Sequence, residues 1–283
     1  MREKKPVQQT EKELPDILTV KRGFIRVHVL GTSPFVYNAK SFQKKVDLLI
    51  PPRKARTEAD REARGPKHNP LEEYRQSVYA HLGNDRPTRL MFTAGAFKKA
   101  MAKVARHIPG MTQTEIMQLL WLEPKDIDIY GIPELYMAPV TLKGISRAPD
   151  IRTRAMLKQW GCSFTIGFAS PMVKSEWVGK LAVTSGILCG VGDGRQEKGH
   201  GNGQYALVSE DNADLRHLMK IAGRAAQDAA LANPEYADRE TAQLMAAYLD
   251  EVARREQEIT GEPVVLTKPN GRKAPKARRE VRL

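Results

Sequence analysis

Cysteine is nearly absent: the 283 residues hold two, Cys162 and Cys189. Neither stands at zinc-ligand spacing or in a disulfide framework, so a reducing, cytoplasmic setting is expected. Long apolar runs are missing as well. No stretch approaches the roughly 18 apolar residues of a membrane span. The opening Met1-Arg2-Glu3-Lys4-Lys5 is not followed by an apolar signal core, so no secretory signal is read. The sequence also lacks a P-loop, a dinucleotide-binding glycine fingerprint, an H-E-x-x-H helix and a C-x-x-C pair. Its histidines (His28, His68, His81, His107, His200 and His217) show no metal-ligand spacing. Asp126 and Asp128 share a strand face, but two carboxylates alone do not make a metal site. No cofactor and no metal are expected, and a binding role is favoured over an enzymatic one.

What the chain does have is positive charge. Lys and Arg number 46 against 33 Asp and Glu, a formal net charge of +13. Such a balance points to an anionic partner, of which nucleic acid is the commonest. Residues 268–283 hold seven Lys and Arg against Glu280, so about half of the excess lies there. With Pro269, Gly271 and Pro275 among them, residues 261–283 are expected to be a disordered basic tail. Residues 1–15 are polar and charged and read as a disordered arm. The segment 51–70 opens on Pro51-Pro52 and is rich in Lys and Arg. It is either a basic flap that orders on a ligand or a solvated insertion.

Hydrophobic period gives the coarse architecture. From Gly23, Ile25, Val27 and Val29 alternate with Phe24, Arg26 and His28, which predicts a strand. Its aliphatic face suits a core. Its other face, with a ring, a guanidinium and an imidazole, suits base stacking and phosphate contact or an ordinary exposed surface. Helices are predicted over 70–82, 91–107 and 112–122, and strands over 127–130 and 135–142. Residues 143–154 read as an irregular basic connection containing Lys143, Arg147, Arg152 and Arg154. The clearest strand is Trp160 to Phe168, with Cys162, Phe164, Ile166 and Phe168 facing one way. A helix then ends near Cys189, and a last strand covers Gln204 to Val208. The order is strand, helix, strand, strand, helix, strand: an α+β, ferredoxin-like or RRM-like βαββαβ core over 16–208. Two alanine-rich helices, 211–232 and 238–258, form a helical hairpin over 209–260.

The stretch Cys189 to Tyr205 organises the rest. Six glycines fall within Gly190–Gly203, interspersed with Arg195, Lys198 and His200. Clustered glycine signals a backbone at unusual angles or one that another group approaches closely. Such a loop between helix and strand can aim several N–H groups at one anion, with Arg195 and Lys198 adding charge. It reads equally as a solvated hairpin.

The halves Gly190-Val191-Gly192 and Gly199-His200-Gly201 resemble the C-terminal glycine-rich loop of the RAMP superfamily, the RNA-binding proteins of CRISPR systems. That loop is written G-h-G, five residues with Lys or Arg, then G-h-G. Here six residues intervene, and His200 stands where an apolar residue is usual. The resemblance implies an RNA-recognition fold that holds single-stranded nucleic acid, RNA favoured over DNA. It also implies self-association along the strand or membership of a multi-protein ribonucleoprotein, as for effector backbone subunits or a phage or mobile-element relative. With the exposed strand face and the basic connection, the nucleic-acid contacts expected are Phe24, Arg26, His28, Lys143, Arg147, Arg152, Arg154, Gly190, Gly192, Arg195, Lys198, Gly199, His200 and Gly201. Three other functions fit the same composition. They are a phage-type single-stranded DNA-binding or annealing protein, a metal-independent endoribonuclease using His28 or His200, and a structural or inhibitory protein whose tail docks on acidic partners.

The tail gives a first prediction. Its deletion is expected to weaken nucleic-acid binding and flatten the dependence of log K on log salt, because fewer counterions are released. An unchanged slope in anisotropy titrations would exclude the tail from binding.

Overall fold

The computed structural model describes residues 19–40, 45–46, 49–50, 68–108, 110–141 and 149–260. The arm 1–15, most of the basic insertion, Lys143, Arg147 and the tail lie outside the described residues. The described elements are, in order, β1 (Lys21–Gly31), β2 (Phe35–Val36), α1 (Pro70–Gln76), β3 (Met91–Thr93), α2 (Ala94–Val104) and α3 (Gln113–Leu119). Then come β4 (Leu120–Glu123), β5 (Asp126–Tyr130), β6 (Pro133–Thr141), β7 (Pro149–Leu157), β8 (Gly161–Ser170) and α4 (Ser175–Leu188). Last are β9 (Tyr205–Val208), α5 (Ala213–Ile221), α6 (Arg224–Ala232) and α7 (Arg239–Thr260). The fold is mixed α+β with antiparallel sheets.

The alternation in β1 buries Val27 and Val29 and leaves Phe24 and Arg26 exposed, as the period predicts. β1 pairs with β8 from Lys21 opposite Ser170 to Leu30 opposite Gly161. Its other edge takes β9. The main sheet runs β3-β5-β8-β1-β9, with β4 also paired to β8. α2 and α4 cover one face. Thr93 caps α2, and its apolar stripe buries Phe97, Ala100, Met101 and Val104. Phe97 meets Phe164 of β8 and Tyr205 of β9, with ring centroids 4.8 and 5.7 Å apart. From α4, the Ser185 hydroxyl lies 2.8 Å from that of Tyr205.

The second sheet, β2-β7-β6, departs from the sequence reading. Residues 135–142 were expected beside 127–130 in one core, and 143–154 as an irregular connection. Instead β6 pairs with β7, which covers the basic residues Arg152 and Arg154. Only Thr153, Ala155 and Leu157 of β7 turn inward to burial, too weak a pattern for period to register. Likewise the helix expected over 112–122 ends at Leu119. The Thr112–Glu115 capping box starts it, and Leu120 begins β4. Aromatics are scarce at 6% of the chain, yet Phe35, Tyr37, Phe92 and Trp160 stack where the two sheets meet. Each such pair contributes on the order of 1 kcal/mol beyond its buried area.

The C-terminal segment forms three helices, not a hairpin of two, because the chain breaks at Ala222-Gly223 between α5 and α6. α6 is tied to the core by Tyr74 and Arg75, which donate to its last carbonyls, by Arg224, and above all by one buried amide. Gln227, fully buried, accepts the N–H groups of Arg89 and Leu90 at 2.8 and 2.9 Å. Its amide nitrogen shares two hydrogens among the carbonyls of Ile129, Gly131 and Ala222. Truncation leaves several buried backbone groups without partners, each costing about 1–3 kcal/mol. Gln227→Ala is therefore expected to lose about 3–5 kcal/mol in urea unfolding, near the top of the range for single substitutions. A loss below about 1 kcal/mol would mean that water replaces the amide.

Candidate nucleic-acid interface

All six glycines of the loop after α4 adopt positive φ, between 65° and 85°. Three of them, Gly190, Gly192 and Gly203, would drive a side chain into backbone, a Cβ on Gly190 falling 2.8 Å from Gly203 O. A Cβ on Gly203 would fall 1.7 Å from the Val191 carbonyl oxygen, and one on Gly192 would fall 2.8 Å from that of Val36. The loop closes on itself through Val191 N–H to Gly203 O and Asn202 N–H to Gly194 O, each 2.9 Å. It is held to the segment after β1 by Gly203 N–H to Pro34 O at 2.7 Å and Asp193 N–H to Val36 O at 2.9 Å. Ser33 Oγ donates to Gly201 O at 2.8 Å. Gly190 and Gly199 donate their N–H groups to Ser185 O and Gln196 O. The expected cradle of N–H groups thus faces largely inward, where it serves the loop's own shape.

The cationic side chains of the loop divide. Arg195 turns to Glu197, which Lys103 of α2 also meets, so Arg195 joins an ion cluster against α2. Lys198 turns the other way. Its Nζ lies 2.7 Å from Asp193 Oδ1, and Arg154 of β7 binds the second oxygen, Oδ2. Burial pushes the Asp193 carboxyl up, but the Lys198 hydrogen bond, the charges of Arg154 and Lys198 and the Gly194 N–H outweigh it. The result is a carboxylate held below its ordinary range.

These residues line a cleft of about 320 Å³ between the loop and the second sheet. Asn38 and Lys40 enter from the segment after β2, Glu73 and Ser77 from α1 and its C-cap, and Arg152, Thr153 and Arg154 from β7. Four cations stand there against two carboxylates. Ser77 fixes one wall: its hydroxyl accepts the Ala155 N–H at 2.8 Å and donates to Tyr74 O at 2.7 Å. Glu73 also faces His68, whose two ring nitrogens lie 2.8 and 2.9 Å from Glu73 and Asp150. Of the residues expected from sequence, the cleft gathers Arg152, Arg154 and Lys198. Lys40, Asn38 and the counter-ion role of Asp193 were missed. An acidic residue inside a cation-bearing glycine loop was the available signal for the last, while nothing in the sequence marks Lys40 or Asn38.

Phe24, Arg26 and His28 lie apart, on the face of the main sheet turned away from α2 and α4. His28 Nδ1 is 2.8 Å from Ser163 Oγ, and His200 is exposed on the loop. Among the described residues no group of three or more His, Cys, Asp or Glu is placed to hold a metal. No described helix is long and apolar enough to cross a membrane. No protein-family model matches the chain, and none of the curated proteins matches its sequence.

Asp193 supplies a prediction about stability. Its lowered pKa means that the ion pairs stabilise the fold fully above the ordinary value of 3.8 and are lost as pH falls through the folded value. Asp193→Asn is expected to cost about 1–3 kcal/mol near neutral pH, and the gap to wild type to close in acid below the ordinary value. A gap that is constant with pH in thermal melts would show that charge at Asp193 is immaterial.

Proposed function

We propose that the protein binds single-stranded nucleic acid, RNA in preference to DNA, without cleaving it. The observation that carries this is the cleft. Arg152 and Arg154 of β7 meet there with Lys198 of the loop and with Lys40, both distant in sequence, each half-buried or exposed to an incoming strand. Phosphate oxygens suit such a fork-and-ammonium set, which positions a backbone without reading its sequence. The core is read as ferredoxin-like: β1, α2, β5, β8, α4 and β9 follow one another as in a βαββαβ unit, with their strands laid out β5-β8-β1-β9. The RAMP resemblance supports the same reading, since the paired Gly-x-Gly halves follow the second helix of that unit and precede its last strand. Within it, copies associate along the strand in a ribonucleoprotein.

Anisotropy titrations with labelled single-stranded RNA and DNA test this. Lys40→Glu combined with Arg152→Glu is expected to weaken RNA binding at least about tenfold at physiological salt. The salt slope should fall by about 0.7 for each phosphate contact removed from a single strand. The loss should be the same for every RNA sequence. Wild-type affinity in the double variant would overturn the assignment of the cleft. RNA cut in wild type but intact in His28→Ala or His200→Ala would replace the binding function with a nuclease.

A further inference from the structure

The open face of the main sheet carries side chains that the cleft does not use. α5 closes one end of it: Leu215 and Leu218 lie over Gly161, where a Cβ would meet Leu215 at 2.6 Å and Leu218 at 3.3 Å. The other end is uncovered among the described residues and is built around an indole. Trp121 of β4 lies over Gly167, where a Cβ would fall 2.1 Å from its Nε1. Phe24 stands edge to face with Trp121, centroids 6.1 Å apart and planes at 85°. The Arg22 guanidinium is 5.7 Å from the indole centre. Phe24 nevertheless keeps 54% of its surface in solvent. Beside the rings the floor is flat: Ser163 and Thr165 are half-buried, and exposed Arg26 stands opposite Thr165. Glu123, opposite Thr165 on the far side, is the carboxylate of this end.

An exposed ring braced from the side, with guanidinium groups about it, matches a planar π-surface attached to anionic links. That is the chemistry of an unpaired base between its phosphates. A globular protein partner would need a broad apolar patch, but here the ring is flanked by Arg22, Arg26 and Glu123. We propose that this end of the sheet is a base-stacking platform. Phe24 takes the base, Trp121 braces Phe24, and Arg22 and Arg26 hold the flanking phosphates. The proposal rests on the nucleic-acid function above and deepens it, because the cleft holds backbone and the platform holds bases.

The test separates the two sites with two probes of equal length, an oligouridylate and an abasic oligomer. Both are titrated against wild type, Phe24→Ala, Phe24→Tyr and the cleft variant. Phe24→Ala is expected to lose about tenfold in affinity for oligouridylate, the scale of one stacked base, with no change for the abasic probe. Phe24→Tyr should restore the loss. Thermal melts of Phe24→Ala should match wild type, since the ring is exposed. In a Trp177→Phe background the remaining indoles are Trp121 and the fully buried Trp160. Oligouridylate should quench that emission, and the abasic probe should not. Equal affinities of Phe24→Ala and wild type for oligouridylate, or equal losses on both probes, would overturn the platform and leave the cleft standing. So would a change in oligomeric state on Phe24→Ala with affinity unaltered. If wild type binds neither probe, the function itself fails and the platform falls with it.

Discussion

The close passage of Val191 beneath Gly203 is the constraint on which the candidate site depends. Only a residue without a Cβ fits there, and only positive φ lets Gly203 donate to Pro34 while it accepts from Val191. That crossing fixes the loop against the segment after β1 and sets Asp193 on Val36 O. Asp193 in turn fixes Arg154 and Lys198. Remove the crossing, and the cations of the cleft lose their common reference point. The glycines thus act at one remove from any ligand, by shaping the loop that orients the charges.

The electrostatics of the cleft follow from that arrangement. A guanidinium as buried as that of Arg154 needs a partner, and Asp193 supplies one at the loop's own expense in charge. What remains for an outside anion is the surplus of four cations over two carboxylates, with Lys40 and Arg152 the members not paired to Asp193. Polyanions spanning several cations gain more from such a surface than a single small anion does.

How much of this the sequence revealed varies by element. The two faces of β1 and of β8 were legible because their alternation is strong, Ile25, Val27 and Val29 in one and Cys162 to Phe168 in the other. The loop was legible because six glycines have no common reason except backbone angle. β7 was not, since its inward residues are Thr153, Ala155 and Leu157, small or weakly apolar apart from the last. β4 was hidden by the helix that runs directly into it, and with it Trp121, whose place on the open face depends on pairing with β8. The cleft was half legible. Charge marked Arg152, Arg154 and Lys198, but Arg195 pairs locally with Glu197, and the contact of Glu197 with Lys103 that draws both against α2 is a tertiary fact.

The link between α6 and α7 has a further consequence. β6 is the edge strand of the second sheet, and an edge with unpaired N–H and C=O groups is a template for another chain. At Leu135 that template is already occupied. Leu135 N–H donates to Glu235 O at 2.8 Å, and Ala237 N–H donates back to Leu135 O at 2.9 Å, a short parallel bridge. Two residues on, Met137 N–H donates to Thr241 Oγ1 at 3.1 Å. The C-terminal helices therefore guard the molecule against strand-to-strand aggregation there, a protective duty separate from any part they play in holding a ligand.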